Sequence, residues 1–256
     1  MNSKLTATLL IAAAVLTNAA FTVLGTVFNY PDILGEPVED ILATFRASQA
    51  TVVLWFSVMA LSAALFAPIA IGVGRLSTHR AMRIAVPVGI AAAVVQLIGL
   101  ARWPLLVPGF AADAASTDPT IAAGARDSFL LAHRILGTVV GETLGYMLTA
   151  AWTLLVLIAL GRKIPRWFTA LGAVSAVLIL SGVLTPLHLP VVDNANFIGY
   201  ILWSVWLVIF AILILLRYPR SRAATPDPVG SRHHPGGSRS PHDDHRPAPH
   251  ARARRR

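Results

Sequence analysis

The chain has 256 residues, of which 55% are hydrophobic and only 13% charged, and its mean hydropathy is +0.67. Because a soluble domain carries about a quarter charged residues, this composition excludes an ordinary soluble protein. The chain contains no cysteine, which excludes disulfides and thiolate metal sites. Ten of the 21 Lys and Arg residues lie beyond Leu216, so the net charge of +9 does not indicate a nucleic-acid-binding protein, and we predict no specific nucleic-acid partner.

An apolar run over residues 5–28 follows Lys4 and predicts a first membrane span. Its beginning also resembles a secretory signal peptide, with small residues at Ala19 and Ala20. We favour an uncleaved helix, because the run continues to Phe28 and is long enough to cross a bilayer. Cleavage would leave five spans with the same orientation.

Five further apolar segments predict spans over residues 51–74, 84–104, 138–160, 167–187 and 197–216. Asp118-Pro119 is typical of a helix N-cap and first helical residue, so the fourth helix is expected to begin well before the membrane. The sequence therefore predicts an all-α membrane protein, with a six-helix bundle over residues 1–217.

The connecting segments alternate in charge. The turns at residues 75–83 and 161–166 are basic and contain no acid, whereas the loops at 28–50 and 105–127 hold most of the acidic residues. By the positive-inside rule, both termini and the basic turns are expected in the cytoplasm.

Residues 218–256 are rich in Pro, Gly, Ser, His and Arg and have few large apolar side chains, which predicts a disordered tail. Its positive charge, close to a membrane helix, predicts contact with anionic lipid headgroups. The His-rich tracts within it are too weak a pattern for a metal site. We predict no metal and no cofactor, and as partners the lipid bilayer and a membrane or cytoplasmic protein.

The fourth span carries two strips of residues spaced by four, which lie on neighbouring faces of a helix. One strip is made of small residues, and this spacing lets another helix approach closely: Gly137, Gly141 and Gly145. The other strip is polar: Arg134, Thr138, Glu142 and Tyr146. A helix packed on the glycines would cover the flank of the polar strip, so Glu142 is expected to face protein or a cavity.

Glu142 is placed in the outer leaflet by its distance from the end of the span. Counted back from Leu160 at 1.5 Å per residue, a hydrocarbon core of ~30 Å ends near Gly141. A carboxylate at this depth suggests a functional site, with Arg102 as its first candidate partner and Arg134 as its second. We therefore predict Glu142 as the catalytic or central residue, with binding residues at similar height: Arg102, His133, Arg134, Tyr146 and Tyr30.

Structural interpretations stand beside this one. Glu142 can instead form an ion pair that only fixes helix packing. Arg102 and Arg134 can snorkel to the interface, which we favour over a direct role for either alone. His133 is expected in the headgroup layer, the glycine strip is interpreted as packing only, and Gln96 as a hydrogen-bond donor between helices.

Two functions remain open. The first is a non-enzymatic protein with an outward-facing polar pocket, acting in sensing, partner binding or transport of a small solute. The second is a membrane enzyme on a lipid-soluble substrate, isoprenoid or quinone-like, with Glu142 as general acid or base. The sequence contains no phosphate-binding loop, no dinucleotide fingerprint and no nucleophile elbow, so ATP-driven transport by this chain alone is not expected.

Several short motifs resemble a bacterial membrane family, the domain of unknown function 4386. They are residues 28–34 (FNYPDIL), Arg102-Trp103, residues 141–146 (GETLGY) and residues 165–167 (PRW). The resemblance covers residues 5–216 and omits the tail. It implies a six-helix bundle in the bacterial plasma membrane and supplies no activity.

Overall fold

The computed structural model describes residues 2–187 and 190–217, which contain helices and no strand. The longer helices are α1 (Ser3–Phe28), α2 (Val38–Ala47), α3 (Gln49–Gly74), α4 (Arg80–Leu105), α5 (Val107–Asp113), α6 (Pro119–Ala132), α7 (Gly145–Leu160), α8 (Arg166–Ser181) and α9 (Pro190–Arg217). A π-helix, His133–Leu144, joins α6 to α7. Short 3₁₀ helices lie at Asp32–Gly35, Gly161–Lys163 and Gly182–Leu187.

Six helical segments of the described residues are long and apolar enough to cross a membrane, which confirms the predicted all-α, multi-pass architecture. They are α1, α3, α4 continued into α5, the continuous helix from Pro119 to Lys163, α8 with part of the following 3₁₀ helix, and most of α9. The cytoplasmic position of both termini stays a prediction. The tail predicted to be disordered lies outside the described residues.

The fourth span differs from a regular α-helix. It begins where predicted: the side chain of Asp118 accepts a hydrogen bond from the backbone N–H of Thr120 (2.8 Å), and Pro119 is the first helical residue. Over His133–Leu144, however, the backbone is π-helical. π-Helices are rare, and most are single-turn bulges within α-helices that are frequently found at functional sites. The stretch contains Arg134, Thr138 and Glu142 of the predicted polar strip.

The bundle has two ends, which we name by their charge. The acidic end holds the loops at residues 29–48 and 106–118, and the basic end holds the turns at residues 75–79 and 161–165. At the acidic end α2, α5 and α6 pack together over the spans. Arg46 donates a hydrogen bond to the carbonyl oxygen of Ala111 (2.9 Å), and Arg126 pairs with Glu39 at 3.5 Å.

Buried apolar residues form two separate cores. The acidic-end core includes Phe28, Phe56 and Trp103, with the rings of Phe56 and Trp103 stacked at 4.6 Å. The basic-end core includes Trp152 and Trp206. Polar side chains lie between the two cores on α1, α3, α4 and the fourth span. We call this group the polar layer, and its members are Thr17, Ser62, Gln96, Arg102, Glu142, Tyr146 and Thr149. Tyr200 of α9 joins this layer through Thr149.

Candidate polar site between the two cores

Arg102, on α4, is the most buried charged residue of the polar layer, with 5% of its surface exposed. Its Nη1 donates a hydrogen bond to the carbonyl oxygen of Gly99, and its Nη2 lies 3.2 Å from Nδ1 of His133. Its Nε–H has no acceptor among the described residues. The snorkelling interpretation is therefore wrong for Arg102, because the side chain is held inside the bundle.

Gly137 provides the space that Arg102 occupies. A Cβ atom at this position would lie 2.7 Å from Nη2 and 2.8 Å from Cζ of Arg102. The guanidinium thus lies directly against the backbone of the π-helical segment. The interpretation of the glycine strip as helix packing alone is too narrow, since one of its members accommodates a buried charge.

His133 completes the contacts of the guanidinium. Arginine can only donate hydrogen bonds, so Nδ1 of His133 is the acceptor and the imidazole proton lies on Nε2. The ring of His133 is half-buried and parallel to that of Phe129 (centroids 6.0 Å apart, 6° between planes). The imidazole is therefore fixed by packing on one side and by Arg102 on the other.

The carboxylate of Glu142 lies within electrostatic range of groups on three other parts of the chain. It is half-buried and interacts electrostatically with Arg102 on α4, with Tyr30 after α1 and with Tyr200 on α9. Arg134, the second candidate partner, is exposed on the surface of the bundle. The first candidate, Arg102, is thus the arginine that the fold brings to Glu142.

Tyr30 reaches the site because α1 ends abruptly. Asn29 takes a left-handed backbone conformation (φ 49°) that turns the chain back, and the ring of Tyr30 then contacts Phe21 and Phe56 at centroid distances of 5.5 and 5.2 Å. Burial raises the pKa of the Tyr30 phenol to about 12; the nearby carboxylate of Glu142 adds to this shift and Arg102 opposes it. Tyr30 therefore remains a neutral hydrogen-bonding group at physiological pH.

Tyr146 and a group of residues not predicted for the site form its side toward the basic end. The ring of Tyr146 lies 5.9 Å from that of Tyr200. Gln96 donates a hydrogen bond to the hydroxyl of Thr149 (2.7 Å), which confirms its interhelical role, and Tyr200 also hydrogen-bonds to Thr149. The sequence signal for Thr149 and Tyr200 is that both are polar residues within otherwise apolar spans.

The assembled groups include both hydrogen-bond donors and hydrogen-bond acceptors. One guanidinium, one carboxylate, one imidazole and three phenols lie on four parts of the chain that meet at the π-helical segment. The residues that the structure describes contain no cluster of His, Asp and Glu with the arrangement of a metal site. The chemistry supported by these side chains is therefore hydrogen bonding, ion pairing and proton transfer.

Comparison with known proteins gives the family of the chain and no assigned activity. Neither a curated protein nor a solved structure matches it. The model of one family, described as a domain of unknown function, matches residues 5–211. This match includes all six spans up to the last turns of α9, and it confirms the resemblance seen in the short motifs. The chain belongs to the DUF4386 family of domains of unknown function.

Proposed function

We propose that this protein is a multi-pass receptor of the bacterial plasma membrane, with both termini in the cytoplasm, and that it recognises a polar ligand group at a site opening toward the outer side. The site is centred on Glu142 and Arg102. The observation that carries the proposal is the buried guanidinium of Arg102, whose Nε–H has no acceptor among the described residues. An unpaired buried donor costs about 1–3 kcal/mol, and a ligand acceptor would remove that cost.

Recognition is better supported than transport. The polar side chains of the site lie toward the acidic end of the bundle. On their other side, the basic-end core contains three fully buried aromatic residues, Phe168, Trp152 and Trp206. A transporter needs a route that opens to both sides of the membrane, usually at discontinuous helices near the midplane. Buried aromatic side chains at this level favour a site that opens to one side only.

The test uses the absence of cysteine from the chain, which makes a single introduced cysteine a clean reporter. Thr138→Cys is placed on the half-buried polar strip, and Val139→Cys, which is 51% exposed on the apolar surface, is the matched control. Both variants are treated with a membrane-impermeant maleimide in right-side-out and in inverted vesicles. We expect Thr138→Cys to react several times faster than Val139→Cys, and only from the outer side.

Reaction of Thr138→Cys from both sides would favour transport. Reaction only from the inner side would reverse the orientation. An unreactive cysteine at both positions would mean that water does not enter the polar layer, and Glu142 and Arg102 would then be a structural pair.

A further inference from the structure

An apolar groove runs along the surface of the bundle between α7 and the end of α8. Its volume is about 450 Å³, and it is lined by Met147, Val177, Leu180, Ser181, Val183 and Leu184. Volumes of about 300–1,000 Å³ are typical of small-molecule sites. The groove is open sideways, since Val177 is 63% exposed and Met147 and Leu184 are about half exposed. These residues belong to membrane-spanning segments, so the groove opens toward lipid.

Gly182 lies between the groove and the polar layer. Gly182 follows the groove residue Ser181, and a Cβ atom on Gly182 would lie 2.6 Å from the ring of Tyr146 and in contact with the side-chain amide of Asn196. The side chains of Tyr146 and Asn196 thus both approach Gly182, next to the groove, because this residue has no side chain of its own. Tyr146 in turn interacts electrostatically with Arg102.

The order of the groups along the membrane normal matches that of a lipid in the outer leaflet. Tyr146 precedes Met147 in the chain, and Glu142 lies one turn nearer the acidic end. Most of the groove, lined by Met147, Val177 and Leu180, extends from the contact between Gly182 and Tyr146 toward the centre of the membrane, and Val183 and Leu184 form its outer end beside the polar groups. A lipid of the outer leaflet likewise has its headgroup outside and its chain inside.

We infer that the ligand of the polar site is an amphipathic membrane lipid, whose hydrocarbon chain occupies this groove and whose polar head lies at Tyr146 and the polar layer beyond it. The inference rests on the proposed function and names the class of its ligand. A dissolved solute would use the polar layer and leave the groove to bulk lipid. A lipid ligand would contact the groove with its hydrocarbon chain and the polar layer with its head. This accounts for an apolar groove directly beside a set of buried polar groups.

The test is photo-crosslinking of the full-length protein in phosphatidylcholine nanodiscs with a trace of phosphatidylglycerol that carries a diazirine in its acyl chain. Adducts are located by peptide mass spectrometry. Val177→Trp fills the groove, whereas Val174→Trp, on the same helix and similarly exposed, lies outside it. We expect adducts to concentrate on Met147 and Leu184, and Val177→Trp to reduce them about tenfold, equivalent to about 1.4 kcal/mol of binding free energy. Val174→Trp should leave them unchanged.

Adducts spread evenly over the lipid-facing surface, or unchanged in Val177→Trp, would overturn the inference. Leu180→Trp provides a second groove-filling variant if Val177→Trp does not fold. Maleimide reaction of Thr138→Cys, measured in the protein with the native groove, separates the two proposals. If this cysteine reacts from the outer side while the protein with the native groove gives no groove adducts, the outward polar site stands without a lipid; if the cysteine does not react, the proposed function fails.

Discussion

Gly99 of α4 and Gly141 of the π-helical segment face each other so closely that a Cβ atom on Gly99 would lie 2.5 Å from the Cα of Gly141. The same Cβ would lie 3.0 Å from the carbonyl oxygen of Leu136. These are backbone atoms, which cannot move aside as a flexible side chain would. The contact therefore fixes the distance between the two helices that carry Arg102 and Glu142.

The first prediction concerns Gly141→Ala. A Cβ here would lie 2.9 Å from the Cα of Gly99, so the helices must separate, and we expect the free energy of unfolding to fall by about 1–3 kcal/mol. Gly124→Ala, on the same continuous helix, is the control, because its Cβ meets nothing within 4 Å; that change should stabilise by about 0.5–1 kcal/mol. Thermal unfolding of both variants in nanodiscs measures the difference. Equal melting of Gly141→Ala and wild type would contradict the close contact.

The second prediction separates a binding carboxylate from a structural ion pair. In Glu142→Gln the guanidinium of Arg102 keeps its contacts with Gly99 and His133. We therefore expect normal membrane insertion, a loss of stability within about 1 kcal/mol, and loss of ligand binding. Arg102→Met removes the cation that faces Glu142 and should cost about 3 kcal/mol or more. The exposed Arg134→Met is the control and should change stability by less than about 0.5 kcal/mol.

The decisive comparison is the double variant. If Glu142→Gln is degraded in cells and its combination with Arg102→Met restores the melting temperature, the two groups form a structural pair and the carboxylate has no separate role. Yield in the membrane fraction and thermal unfolding of the four proteins provide this readout.

Local features of the sequence predict the spans, whereas contacts between residues far apart in the chain cannot be predicted from it. Hydropathy and the Asp118-Pro119 cap depend on neighbouring residues, so the six spans and the start of the fourth helix could be predicted. The glycine strip predicted a close helix but could not identify it as α4. Tyr200 and Thr149 are 51 residues apart in the chain and meet only in the folded bundle.

Helical periodicity in the sequence cannot predict the π-helical segment or the buried position of the Arg102 side chain. A spacing of four fits both an α-helix and a slightly wider turn, so the sequence pattern does not distinguish them. The position of Arg102 near the end of a span favours snorkelling when only the sequence is considered. Only the space left by Gly137 on another helix explains why the side chain is buried instead.

The third prediction is a pH dependence from Tyr30. Its pKa is raised from 10.0 to about 12 in the folded protein, so the folded state binds more protons than the unfolded state between these values. Stability is therefore retained below pH 10 and is lost as the pH rises toward 12, by on the order of 2 kcal/mol. Tyr30→Phe has no phenol to ionise, so its stability should fall less steeply over this range. Parallel slopes for the two proteins would show that Tyr30 ionises normally.

The fourth prediction places the two ends of the bundle. Ala115→Cys lies in the exposed loop at the acidic end, and Thr78→Cys in the exposed turn at the basic end. The positive-inside rule predicts that an impermeant maleimide labels Ala115→Cys in right-side-out vesicles and labels Thr78→Cys only in inverted ones. The opposite pattern would place both termini outside the cytoplasm.

The fifth prediction is that α1 remains part of the mature bundle. The hydroxyl of Ser62 on α3 donates a hydrogen bond to the carbonyl oxygen of Ala13 (2.9 Å) and also bonds the hydroxyl of Thr17 (2.5 Å). Interhelical hydrogen bonds in membranes contribute about 0.6 kcal/mol on average and about 1.7 kcal/mol at most. We therefore expect Ser62→Ala to lower the free energy of unfolding by an amount in this range. Ser57→Ala is the control on the same helix, because Ser57 is exposed and bonds only to its own backbone at Val53.

Intact-mass measurement of the protein purified from membranes completes this test. If a signal peptidase removed the early part of α1, the mass would lack those residues, and Ser62→Ala would behave like Ser57→Ala because its partners would be gone. If α1 is retained, the mass includes it and the two serine variants differ in stability. A retained α1 also keeps Tyr30 tethered beside Glu142, since Asn29 turns the chain into the site directly from the end of that helix.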